Sequence, residues 1–77
     1  MNETLERVLV LASARFGKER AELDAADDLF ASLGIDSVQA LELLSELEHA
    51  FSVELPDYEL AEVRSFAELA EKIEERR

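Results

Sequence analysis

The 77-residue chain has no cysteine and no tryptophan, one proline, two glycines and a single histidine, His49. Without cysteine there is no disulfide and no thiolate zinc site, so a fold this small must be held by packing alone. Scarce proline and glycine leave long stretches able to run as helix, and a hydrophobic share of 48% gives those helices faces to bury. A chain of this length fits one domain, taken here as residues 1–77. Long apolar runs are missing too. Nothing approaches membrane-spanning length, and "MNETLERVLVLASARF" carries acids where a secretory signal carries basic residues. The expectation is a cytoplasmic monomer that does not insert into membranes.

Positive charge is absent from the middle of the chain. No lysine or arginine occurs from Ala21 to Val63, whereas acids recur from Glu22 to Glu62, and the net charge is −11 with a pI near 4.3. Such a surface repels a phosphate backbone, which argues against nucleic acid as a ligand. A long interval of one sign also costs self-repulsion that interspersed charges avoid, so it points to a basic partner surface. Neither Asp27 with Asp28 nor Asp57 with Glu59 and Glu62 has the spacing of a calcium loop, and no metal site is expected.

What is present is helical periodicity. Leu5, Val8, Leu9, Ala12 and Phe16 recur at threes and fours, predicting a helix over 3–16 with Asn2 as N-cap and Gly17 as stop. Val38, Leu41, Leu44, Leu47 and Phe51, joined by Leu43 and Ala50, predict a helix from Ser37 to about Phe51 that buries this stripe. Pro56 sets off a short helix over about 57–62. Ser65 with Glu68 reads as a capping box opening a last helix, with Phe66, Leu69, Ala70 and Ile73 inward and Arg76 and Arg77 closing it. The long connection from Lys18 to Ile35 is tied to the core by Leu23, Leu29, Phe30 and Leu33, with a helical turn expected over 28–33. Tyr58 and the phenylalanines read as core or rim packing. The fold class is all-α: a small four-helix bundle of three longer helices and one short helix, with a long loop between the first two.

Ser37 stands where a glycine-preceded turn becomes a helix. Asp36 with Gln39 three residues on makes Asp36 the N-cap and leaves Ser37 at the first helical position. Taken by itself this serine is either structural or a chemical handle. It is not a self-activated nucleophile, because His49 lies 12 positions along the same helix, about 18 Å away at the helical rise. The chain therefore reads as a non-enzyme. An exposed hydroxyl at a helix N-terminus is suited to accept a phosphate-linked group, since unpaired N–H groups and the helix dipole favour negative charge there.

The stretch "LGIDSVQALELLSELEHAFSVELPD" resembles the centre of an acyl carrier protein, and size, helix order and acidity agree with that family across nearly the whole chain. The resemblance implies a bundle of the acyl-carrier type. It implies phosphopantetheine joined to Ser37 after Asp36, with acyl groups carried as thioesters on its terminal thiol. The implied partners are a phosphopantetheinyl transferase and acyl-loading and synthase enzymes with basic docking patches. Docking would use Asp36, Val38, Gln39, Glu42, Glu46 and Glu48, and the acyl pocket would be a seam of Leu44, Leu47, Phe51, Leu60, Val63 and Leu69. Read only from spacing, Glu42 and Glu46 are equally good helix formers on a wet face.

The match is not uniform. Val38 follows the serine where the family usually has leucine, and Gln39, Ser45 and His49 stand where fatty-acid carriers tend to have acid, methionine and acid. "GIDSVQALEL" is also similar to polyketide and specialised carriers. Delivery of acyl intermediates to fatty-acid, polyketide or related lipid biosynthesis is the expectation. The alternatives are a peptidyl or aminoacyl carrier, and an unmodified acidic interaction domain that mimics nucleic acid.

Overall fold

In the computed structural model, which describes residues 3–77 with all their side chains except those of Asp57, Glu59 and Leu60, the N-terminal periodicity becomes helix α1, Glu3–Phe16. Val8, Leu9 and Ala12 are buried, and Leu5 and Phe16 pack at the edge of the core. Gly17 ends the helix at φ 66°, a conformation that costs glycine little. The expected Asn2 cap lies outside the described residues.

The connection that follows is anchored at both ends and in the middle. A short 3-10 turn, Arg20–Glu22, is fixed by Arg20, which donates twice to the Glu6 carboxylate on α1 at 2.8 Å. Helix α2, Leu29–Leu33, occupies the expected turn, with the Asp28 carboxylate accepting from the N–H groups of Phe30 and Ala31. Leu23, Leu29 and Leu33 are buried. Two backbone hydrogen bonds cross to the far end of the chain, Leu29 N–H to Arg64 O at 2.8 Å and Ala67 N–H to Ala25 O at 3.0 Å. The long loop is therefore part of the packed body, and it delivers the chain to α3 from a fixed point.

Helices α3, Ser37–Phe51, α4, Asp57–Glu62, and α5, Phe66–Arg76, complete the bundle. The three long helices and short α4 are the expected four, with α2 as the turn in the loop. The expected stripe on α3 needs correction. Val38 is 64% exposed and Leu41 36%, whereas the buried positions are Ala40, Leu43, Leu44, Leu47 and Phe51. At about 100° per residue the buried set shares one arc, and Val38 stands roughly 160° from Ala40, on the opposite face. Tyr58 is also exposed, so it is not a core residue.

Phe66, Leu9, Leu29, Leu43, Leu47, Leu69 and Ile73 are fully buried and form one cluster contributed by α1, α2, α3 and α5. At the far end of α3 from Ser37, the guanidinium groups of Arg7 and Arg77 lie 4.4 and 5.4 Å from the centre of the Phe51 ring. Thr4, buried on α1, donates to the Glu74 carboxylate and accepts from Arg77 at 2.8 Å. These contacts lock one end of the bundle and leave the Ser37 end to the turn. No helix among the described residues is long and apolar enough to cross a membrane.

Candidate functional site

The turn before Ser37 is built residue by residue. Gly34 closes α2 in the left-handed region, φ 66° and ψ 39°, with its N–H donating to Phe30 O at 2.9 Å. A Cβ there would meet nothing within 4 Å, so the backbone conformation selects glycine and crowding does not. Ile35 is half-buried against the core and pins the turn. Asp36 then adopts an extended conformation and caps α3. Its carboxylate accepts from the Gln39 N–H at 2.9 Å, and the Gln39 side chain accepts from the Asp36 N–H at 3.2 Å. The box read from the sequence is present in both directions.

That arrangement frees Ser37. It is the first residue of α3, it is exposed, and no described residue hydrogen-bonds its hydroxyl. Ser65 shows the contrast. It also stands at a helix start, but its Oγ accepts from the Glu68 N–H at 3.2 Å and is committed to capping. The Glu68 carboxylate accepts from the N–H groups of Arg64 and Ser65 at 2.8 and 3.0 Å, and these backbone donors hold its carboxyl below the ordinary value. Of two serines at helix N-termini, one caps and the other offers a hydroxyl to solvent. The open space around Gly34, the exposed hydroxyl and the α3 dipole together fit a phosphodiester on Ser37 Oγ.

Around Ser37 the surface is apolar before it is acidic. Val38 and Leu41 are exposed beside it, with Gln39 next to them. Farther along α3, Glu42 is exposed and Glu46 half-buried, and Arg15 from the last turn of α1 reaches both. Its Nη1 lies 2.8 Å from Glu46 Oε1 and its Nη2 lies 3.6 Å from Glu42 Oε1. The acidic pair thus has a cation from within the chain. No local pattern in the sequence announces this contact, because it joins residues 31 positions apart. Glu48 is half-buried and turned to the following loop, where its carboxylate accepts from the Leu55 N–H at 2.8 Å. His49 is exposed at the other end of α3 and does not approach Ser37.

The residues read as an acyl seam come together in the core. Leu44, Leu47, Phe51, Val63 and Leu69 are each 8% exposed or less and belong to one cluster, while the Leu60 side chain lies outside the described residues. The seam is filled by its own side chains.

Comparison with known proteins agrees with this geometry. Residues 6–73 match the family described as phosphopantetheine attachment site. The acyl carrier protein of Rickettsia bellii is 27% identical, over 91% of this chain and 81% of its own length. That of Rubrobacter xylanophilus is 29% identical, over 95% of this chain and 90% of its own length. The chloroplastic acyl carrier protein of Brassica napus is 30% identical over 95% of this chain, which spans about half, 54%, of that relative. With the family match covering most of its length, the chain belongs to the acyl carrier protein family, and its prosthetic group is a covalently attached phosphopantetheine.

Proposed function

We propose that Ser37 is the attachment site and that the chain carries acyl intermediates to the enzymes of fatty-acid, polyketide or related lipid assembly. The observation that carries this reading is the division of labour at the start of α3, where Asp36 caps the helix and leaves the Ser37 hydroxyl exposed at the first helical position. The attached arm supplies the terminal thiol on which acyl groups travel, which a chain without cysteine cannot supply itself. The chain's own residues present and orient. Gly34 and Ile35 set the turn, Asp36 with Gln39 fixes where α3 begins, and the helix dipole stabilises negative charge at Ser37 Oγ. The chain is a carrier and not an enzyme: attachment is catalysed by a separate phosphopantetheinyl transferase, since no described residue hydrogen-bonds the Ser37 hydroxyl, the Asp36 carboxylate is engaged in capping, and His49 stands at the other end of α3.

Docking on the transferase and on synthases uses the exposed face that begins at Ser37: Asp36, Val38, Gln39 and Leu41, then Glu42 and Glu46. Leu44, Leu47, Phe51, Val63 and Leu69 take up the acyl chain by parting around it. Incubation of the wild-type protein with coenzyme A and a broad-specificity phosphopantetheinyl transferase tests the reading. Intact mass should rise by one phosphopantetheine, and a protein that stays at its original mass would overturn it.

A further inference from the structure

Glu42 and Glu46 are like charges four residues apart on an exposed helix face, an arrangement that by itself invites an external cation. Here that cation comes from inside the chain. Arg15 is the only basic residue bonded to the pair among the described residues, with contacts of 2.8 Å to Glu46 and 3.6 Å to Glu42. All three side chains stay accessible, 34% exposed for Arg15, 56% for Glu42 and 33% for Glu46. The guanidinium therefore sits at the surface, between the two carboxylates, where a partner's arginine or lysine would have to bind. Ser45 and His49 complete the rim of the same shallow depression. A partner meets one net negative charge in place of two, and a like charge in front of its own cation.

We propose that Arg15 is a specificity-determining residue, an internal competitor that holds Glu42 and Glu46 and so disfavours partners that grip α3 through a basic patch relative to those that grip Val38 and Leu41. The inference rests on the reading that α3 is the docking face. Because exposed ion pairs contribute little to folding, Arg15 can be changed without loss of the bundle. Its effect falls on association, where rim charges act. Partners of the apolar kind are less affected, since Val38 at 64% and Leu41 at 36% exposure lie nearer Ser37 and take no part in the triad.

The test measures association with a phosphopantetheinyl transferase that has a basic docking face. It uses Ser37→Ala protein, so that docking is read apart from modification. Arg15→Gln should raise the association rate at low ionic strength, on the order of threefold, and Arg15→Lys should restore the original rate. At about 0.5 M salt, where screening shortens to a few Å, the gain should vanish. In a Glu42→Gln, Glu46→Gln background Arg15→Gln should bring no gain. An unchanged or lower rate for Arg15→Gln at low salt overturns the inference, as does a gain that survives in the doubly neutralised background. Transfer of phosphopantetheine to the protein with Ser37 intact is scored separately. A chain that docks as described but is never modified refutes the attachment reading alone, and a chain that is modified but indifferent to Arg15 refutes this inference alone.

Discussion

Asp36 and Gln39 cap one another. The Gln39 N–H donates to the Asp36 carboxylate at 2.9 Å, and the Asp36 N–H donates to the Gln39 side-chain carbonyl at 3.2 Å. This pair caps α3 without using the Ser37 hydroxyl, and the attachment proposed at Ser37 depends on that spare hydroxyl.

Removing the cap should be costly in a small domain. Asp36→Ala is expected to lower stability by about 1 kcal/mol, and Asp36→Asn, which keeps an acceptor, by much less. Urea denaturation followed by circular dichroism measures both. Equal midpoints for the alanine variant and the wild type would show that the box does not hold the start of α3.

Glu48 lies on α3, the helix proposed for docking, but its carboxylate is turned to the Leu55 N–H at the entrance to α4. Glu48→Ala should therefore reduce stability by about 1 kcal/mol through the lost hydrogen bond. It should change association with the transferase less than Glu42→Ala does. Denaturation midpoints and stopped-flow rates separate the two roles, and a fall in rate with no change in midpoint would return Glu48 to the docking face.

The Glu68 carboxyl is held low by the N–H groups of Arg64 and Ser65, so its contribution has a defined sign with pH. A folded value below the unfolded one, which is about 4.3 for glutamate, gives stability that is present above that value and is lost as pH falls through the folded one. The stability difference between wild type and Glu68→Gln should be constant above about pH 5 and shrink below about pH 4. A difference independent of pH across that window would contradict the assignment.

Helix boundaries were legible because they are set by local chemistry. Asp28, Asp36 and Ser65 cap, Gly17 and Gly34 turn, and Pro56 precedes α4, each by interactions within four residues. That the Ser37 hydroxyl is exposed and not needed for capping was legible for the same reason, since the cap and the hydroxyl are neighbours in the chain. The burial of α3 was read less well. Periodicity alone cannot say which apolar residues at threes face inward, and Val38 and Leu41 turned out to be exposed beside Ser37. The Arg15 triad was not legible at all, because the approach of α1 to α3 is fixed by Val8, Leu9 and Ala12 packing in the core and not by any nearby residue.

Cargo uptake makes a thermodynamic prediction. With Leu44, Leu47, Phe51, Val63 and Leu69 already packed, an acyl chain must part the helices to enter. Each methylene buried then adds at most about 0.8 kcal/mol, less the cost of disturbing that packing. Melting temperature should rise with the length of a saturated acyl chain and level off, and Val63→Trp should blunt the rise. Identical melting temperatures at all lengths would place the cargo on the surface.

The central claim is that one serine of six carries the arm, and that it is Ser37, whose exposed hydroxyl is not used in capping and stands at the first position of α3. Its most direct test is peptide mapping by mass spectrometry after treatment with coenzyme A and a phosphopantetheinyl transferase, run beside Ser37→Ala. The account predicts the added mass only on the peptide containing Ser37, and a Ser37→Ala protein that folds normally and gains nothing. Added mass on Ser65 or any other serine, or on the Ser37→Ala protein, would contradict it.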